Sequence, residues 1–202
     1  MKHKRCGKLK IIKGPMFAGK STELQRLFRI HEIASSKDPE NSANLFIRHA
    51  SDTRYANNAS STHDKIMLED GANVLGAHTL IDIQGIAADC SHIFVDEAQF
   101  FPDIYESCVE WIKQGKIVTI SCLDGHGNRP KKNDVNRGYD PWIDTMRLEP
   151  WAEEIVKLLA VCFKCGGPAP LTVGLEPSSG PETKVGGQDI YQASCINCCD
   201  LF

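Results

Sequence analysis

Residues 14–22 read GPMFAGKST, and a segment of that kind leaves a chain few folds to choose from. Glycines at 14 and 19 let the backbone turn so that successive N–H groups converge on one point. Converging donors suit the oxygens of a phosphate, and the positive end of a following helix adds to the attraction. The flanks supply what such a loop needs. KLKIIKG (8–14) reads as a short strand entering the turn, and STELQRLFRIHEIAS (21–35) places Leu24, Leu27, Phe28 and Ala34 near helical spacing. Gly14, Gly19 and Lys20 are therefore expected to hold phosphates, with Lys20 reaching the outer ones and the Ser21 hydroxyl on Mg²⁺. Met16, Phe17, Ala18 and Thr22 complete the set expected around the nucleotide.

The rest of the chain alternates strands with helices. NLFIRHA (44–50) and KIVTISCLDG (116–125) read as strands, and HIFVDEAQFF (92–101) as a buried parallel strand ending in two acids. PDIYESCVEWIKQG (102–115) reads as a helix with Pro102 near its start and Gly115 at its end. The pattern predicts a doubly wound, parallel α/β sheet. Residues 51–64 are a polar loop, His126 to about Met146 reads as one long loop, and LEPWAEEIVKLLAVC (148–162) as a helix with Ile155, Leu158 and Leu159 on one side.

Asp96, closing the apolar run, stands where a P-loop fold holds Mg²⁺ through water. If the strand continues, Glu97 faces the other way, because neighbouring side chains alternate. The pair then divides its work, one acid for metal and one to take a proton from the acceptor. Arg54 and Arg129 are alternatives for neutralising charge on the transferring group; His126 reads as an exposed residue. Of nine cysteines, Cys6, Cys90, Cys108 and Cys122 are dispersed and read as buried free thiols. Cys162-x-x-Cys165 and Cys195-x-x-Cys198 have the four-thiolate spacing of a structural zinc site rather than of an iron–sulfur cluster. Cys199 competes with Cys198 for the last ligand position.

A formal net charge of −3 argues against a broad nucleic-acid surface. No apolar run approaches the roughly 20 residues of a membrane span, so neither nucleic acid nor membrane is expected as a partner, and the expected home is the cytoplasm. DEAQ (96–99) has the look of a helicase motif, but a helicase of that kind needs two motor domains, more than 202 residues hold.

Together, GPMFAGKSTEL, DTRY with THD nearby, VDEAQFFPDI, CLDG, VKLLAVCFKC and VGGQDIYQASCINC resemble the thymidine kinases of the small, zinc-containing cellular and viral type, in order and over nearly the whole chain. The resemblance implies a P-loop (RecA-like) α/β domain over residues 1–160 and a zinc-binding lasso domain over 161–202. It implies transfer of the γ-phosphoryl group from ATP with Mg²⁺ to the 5′-hydroxyl of thymidine or deoxyuridine. Glu97 matches the general base, and Asp96 and Ser21 serve the metal. Arg54 matches an arginine near the phosphates, with Asp52 in the same motif. Phe100 matches an aromatic beside the base, while Met16, Leu123 and Thr172 match positions around the thymine methyl. Val185 and Gly187 match lasso backbone contacts, and Tyr191 closes the pocket. Family members are commonly homotetramers that respond to thymidine triphosphate. In this sequence Gly127 takes the place of an aromatic that follows the LDG motif in the family. Pro141–Trp142 stands for a Pro–Phe pair, displaced by an insertion around 131–138; Trp142 or Tyr139 is available to refill the gap.

Overall fold

The computed structural model describes residues 6–37, 43–51, 73–127, 140–175, 187 and 189–199. Its main sheet comprises β1 (Lys8–Gly14), β2 (Ala43–His49), β3 (Val74–Ala77), β4 (Cys90–Val95), β5 (Ile117–Leu123) and β6 (Glu154–Lys157). They lie in the order β3-β2-β4-β5-β1-β6, all parallel. Strand β5 thus separates the strand feeding the phosphate loop from the one ending at the acid pair, and all three deliver their C-terminal ends to the same edge.

Both faces of the sheet are covered, which is why these strands read as apolar runs rather than alternating ones. On one face, helix α1 (Lys20–Ser35) places Leu24 and Phe28 in a buried cluster with Ile12, Phe46 and Phe94. The Phe28 ring meets Phe46 and Phe94 edge-on at 5.3 and 5.4 Å. On the other face, α3 (Ile104–Lys113) buries Ile104, Cys108, Trp111 and Ile112 with Leu9, Ile11, Val118 and Ile120. Each such side chain contributes roughly 1.5–3 kcal/mol when fully buried. α3 stops where Gly115 turns the chain at φ 91°. Between β3 and β4, a 3₁₀ turn at Ile81–Ile83 leads into α2 (Gln84–Ala88). The Asp103 carboxylate fastens that turn by accepting the Leu80 and Ile81 N–H groups at 3.1 and 2.7 Å.

The helix expected over 148–162 does not form. A 3₁₀ turn (Glu149–Trp151) is followed by β6 and then β7 (Ala160–Val161). Without β6, the outer side of β1 would carry unpaired backbone groups; pairing Lys10–Lys13 with Glu154–Lys157 satisfies them, and a Lys10–Glu154 ion pair at 3.0 Å spans the two strands. Ile155 and Leu159, placed on a buried helical face by their spacing, are 42% and 51% exposed. The long loop expected from His126 to Met146 ends instead in a short helix, α4 (Ile143–Met146). The chain closes with β8 (Pro168–Ala169), paired to β7, and β9 (Leu171–Gly174), paired antiparallel to β10 (Tyr191–Ser194). Among the described residues, no helix is long and apolar enough to cross a membrane.

Candidate active site

The loop from Gly14 to Gly19 leaves the end of β1 and enters α1 at Lys20, as its sequence predicts. Gly14 is needed for clearance: a Cβ there would lie 2.4 Å from the Leu158 carbonyl oxygen. Gly19 supplies a left-handed turn at φ 80°, and Phe17 takes φ 66° without a glycine's freedom. No side chain caps the N-terminus of α1, so its first N–H groups face the loop. Lys20 is buried, and its Nζ donates to the Pro15 carbonyl at 2.8 Å. Burial draws its pKa below the usual lysine value, while the nearby acids, Glu97 foremost and then Asp96 and Asp124, pull it back up. An arriving triphosphate adds further negative charge beside that lysine and so favours its charged form. Thr22 lies in the first turn of α1.

Asp96 is fully buried beyond the end of β4. Its Oδ1 accepts the Ser21 hydroxyl at 3.0 Å, the Glu97 N–H at 3.1 Å and the Ser121 hydroxyl. Two hard oxygen donors, Ser21 Oγ and Asp96 Oδ1, therefore meet beside the phosphate loop, the ligand type Mg²⁺ takes. Glu97 does not reach the other face by strand alternation, because β4 has already ended at Val95. A left-handed backbone at φ 50°, ψ 46° turns the chain there into a 3₁₀ turn (Ala98–Phe100). Gln99 then holds the carboxylate: its Nε2 donates to Glu97 Oε2 at 2.6 Å, while its Oε1 accepts the Leu123 N–H at 3.0 Å. Leu123 thereby decides which end of the Gln99 amide faces Glu97. Ser121 and Gln99 carry no expectation at the level of sequence, where nothing distinguishes a serine inside a strand or a glutamine after two acids from ordinary polar residues.

Over residues 7–199 the chain matches the family model described as thymidine kinase. The chain belongs to the thymidine kinase family. Curated relatives include the thymidine kinases of vaccinia virus (strain Ankara), 38% identical over 195 residues, and of variola virus (isolate Human/India/Ind3/1967), 39% identical over 195 residues. The monkeypox virus thymidine kinase is 37% identical over the same length; each alignment covers 95% of this chain and 96% of the relative.

The residues expected to hold the nucleoside in a thymidine kinase fall into two adjoining groups. Leu123 and Trp142 line a cleft of about 210 Å³ that also includes Leu171, Thr145 and the Lys13–Glu149 ion pair. Trp142 meets Phe100 edge-on at 5.9 Å and stacks on His126 at 3.7 Å with the rings 16° from parallel. His126 is thus half-buried and stacked rather than exposed: its backbone N–H donates to the Asp140 carbonyl at 3.0 Å, and its ring lies on the indole. Burial lowers its pKa against the opposing pull of Asp140, favouring the neutral ring. In the second group, the Met16 N–H donates to Thr172 Oγ1 at 2.8 Å, and Thr172 and Tyr191 enclose Gly127. Gly187, exposed, accepts the Tyr191 N–H at 3.0 Å. Asp52, Arg54, Arg129, Tyr139 and Val185 lie outside the described residues.

Gly127 is a packing requirement as well as a missing ring. It sits at φ 70°, and a Cβ there would lie 2.9 Å from Thr172 Cγ2 and 3.3 Å from the Tyr191 ring. Its carbonyl also accepts the Gly174 N–H at 2.7 Å. Gly127→Ala is expected to cost about 1–2 kcal/mol of stability from the left-handed backbone alone and to raise the KM for thymidine as the hairpin shifts. Thermal unfolding and steady-state kinetics check this; an unchanged Tm and KM would mean the site tolerates a side chain there.

Cys162, Cys165, Cys195 and Cys198 bring their sulfurs within 4.8 Å of one another. A tetrahedron of thiolates about 2.3 Å from zinc has edges of about 3.8 Å, and the Cys165 and Cys195 sulfurs stand 3.7 Å apart. The donor set therefore fits zinc. The N–H groups of Cys195 and Cys165 hold the Cys162 thiol down to about 6, whereas its thiol neighbours, Cys195 first, push Cys198 up to about 12. A central dication would let all four ionise. Cys199 turns away, its Sγ donating to the Ile196 carbonyl at 3.0 Å. Cys195→Ser is expected to lose most bound zinc and Cys199→Ser to keep a full complement, as measured by metal analysis of the purified proteins. Of the dispersed cysteines, Cys90, Cys108 and Cys122 are buried as expected, but Cys6 is exposed. Burial pushes the Cys122 thiol up to about 12, so it is no nucleophile at neutral pH.

Proposed function

We propose that this chain transfers the γ-phosphoryl group of ATP to the 5′-hydroxyl of thymidine or deoxyuridine. The observation that carries this reading is the pairing of Ser21 with Asp96 at 3.0 Å beside the phosphate loop, with Glu97 next in the chain and braced by Gln99. Lys20 and the loop N–H groups hold the β- and γ-phosphates, and Arg54 adds positive charge to the transferring group. Ser21 and Asp96 would hold Mg²⁺, which neutralises charge across those phosphates when bound. Glu97 takes the proton from the 5′-hydroxyl as the new O–P bond forms and the bond from the γ-phosphorus to the β-phosphate oxygen breaks, releasing ADP. Phe100, Trp142 and Leu123 wall the base, with Met16, Thr172 and Tyr191 on its other side. Asp52, Val185 and Gly187 complete the nucleoside's contacts. Cys162, Cys165, Cys195 and Cys198 would hold a structural zinc that ties the hairpin's ends together.

The same reading divides the chain into a nucleotide-binding domain (1–160) and a zinc-bound lasso domain (161–202), and makes it a cytoplasmic homotetramer restrained by thymidine triphosphate. These points rest on family membership. Labelled ATP with Mg²⁺, incubated separately with thymidine, deoxyuridine, deoxycytidine and single-stranded DNA, tests the whole. Label on thymidine and deoxyuridine is the expected result. Free phosphate stimulated by DNA would indicate an ATPase, and no turnover a nucleotide-binding homologue without catalysis.

A further inference from the structure

The phosphate loop and the cysteine knot share one apolar cluster. Phe17 and Ala18 pack against a buried cluster of Ala160, Cys162, Ala169 and Ala193, which Cys195 and Cys198 also join. Phe17 does so with its backbone at φ 66°. A bulky residue in that conformation persists only where its surroundings over-determine it, and the packing of this partly buried ring against the cluster is such a surrounding. One residue earlier, the Met16 N–H is spent on Thr172 Oγ1 at 2.8 Å. Two adjacent loop residues are thus anchored to the C-terminal hairpin and knot, one by a hydrogen bond and one by apolar contact. The convergence of loop N–H groups on a phosphate depends on that same backbone shape.

We propose that Phe17 is a positioning residue that seats the phosphate loop on the four-cysteine knot, so that nucleotide affinity and metal retention support each other. The inference rests on the kinase reading only in taking a nucleoside phosphate as the loop's ligand. Cys162 belongs both to the four-cysteine knot and to the cluster that Phe17 packs against, so opening the knot disturbs the surface that holds the loop. Linkage makes the effect reciprocal: a bound nucleotide, by holding the loop in shape, keeps the knot closed by the same factor.

The test uses the full-length, zinc-loaded protein and ADP with Mg²⁺ as the probe. Calorimetry compares wild type with Phe17→Leu, which keeps apolar volume, and Phe17→Gly, which relieves the backbone and deletes the contact. The Gly variant is expected to bind ADP about tenfold more weakly, equivalent to ~1.4 kcal/mol, and the Leu variant within about threefold of wild type. A Gly variant that binds as tightly as wild type, or tighter, overturns the proposal, because backbone shape without the contact would then suffice. A second measurement needs no variant: release of zinc from the wild-type protein to a chromogenic chelator, with and without ADP. Nucleotide is expected to slow release severalfold; equal rates overturn the proposal even if a variant fails to fold. Neither measurement involves a nucleoside, so failure of the kinase reading appears separately, as absent thymidine turnover by a protein that still couples ADP to zinc.

Discussion

A Glu97→Gln protein is expected to bind ATP and thymidine nearly as the parent does while transferring the phosphoryl group about a thousandfold more slowly. The figure follows from the usual 10²–10⁴-fold contribution of a positioned base, and a thousandfold corresponds to about 4 kcal/mol of barrier. The substitution is close to isosteric. The new amide oxygen can still accept from Gln99 Nε2, the 2.6 Å partner of the present carboxylate, so the local turn keeps its shape. What disappears is the capacity to accept a proton and one negative charge near Lys20, for which Glu97 is the foremost charged neighbour. Losing that charge removes a repulsion of the triphosphate and also the charge that most favours a protonated Lys20. The two effects oppose each other, so ATP affinity stays near the parent's, which separates a chemical defect from a binding one. Single-turnover transfer and equilibrium binding of ATP measure the two independently. Unchanged transfer would remove Glu97 from the role of base.

Asp96→Asn should also inactivate, for a different reason. Hydrogen bonds from Ser21, Ser121 and the Glu97 N–H converge on Asp96 Oδ1. An asparagine oxygen can take the same place, so the fold should survive. Each bond then falls from charge-assisted to neutral, roughly halving its strength. Lys20 also loses one of the charges that oppose its desolvation. With no carboxylate beside Ser21, the pair holds a divalent cation poorly. Since a metal's charge stabilisation is worth several kcal/mol, activity should fall roughly 10²–10³-fold. The Mg²⁺ concentration for half-maximal rate should rise, and the three weakened bonds should lower Tm by roughly 5–15 °C without preventing folding. An unaltered Mg²⁺ dependence would show that the metal is held elsewhere.

Features that chemistry confines to a few consecutive residues are legible in the sequence. The phosphate loop needs its glycines at fixed offsets between a strand and a helix, and the chain runs from β1 through Gly19 into α1 as that pattern requires. Four thiols in two CxxC turns can reach one cation whatever lies between, and their sulfurs do cluster. Even the ambiguity between Cys198 and Cys199 is visible there, though not its answer. That answer depends on which sulfur the turn after Cys195 directs inward, and Cys199 Sγ is engaged with the Ile196 carbonyl.

Segments whose state depends on a distant partner are less legible. Ile155, Leu158 and Leu159 have helical spacing, yet β1 has an open side, and pairing its backbone outweighs local periodicity over four residues. His126 has the sequence context of a surface residue because its ring partner, Trp142, is reached only across the chain segment between them. Gln99 and Ser121 carry no signal of their own. They matter because β5 lies beside β4 and brings the Ser121 hydroxyl to Asp96 and the Leu123 N–H to Gln99, which holds Glu97. Which groups are expected to meet phosphate, magnesium and zinc follows from the order of amino acids alone, because ligand chemistry restricts residue type and local spacing. How those groups are aimed and braced follows only from the folded chain, because a brace is a hydrogen bond or a packed ring between residues whose separation along the chain says nothing about their separation in space.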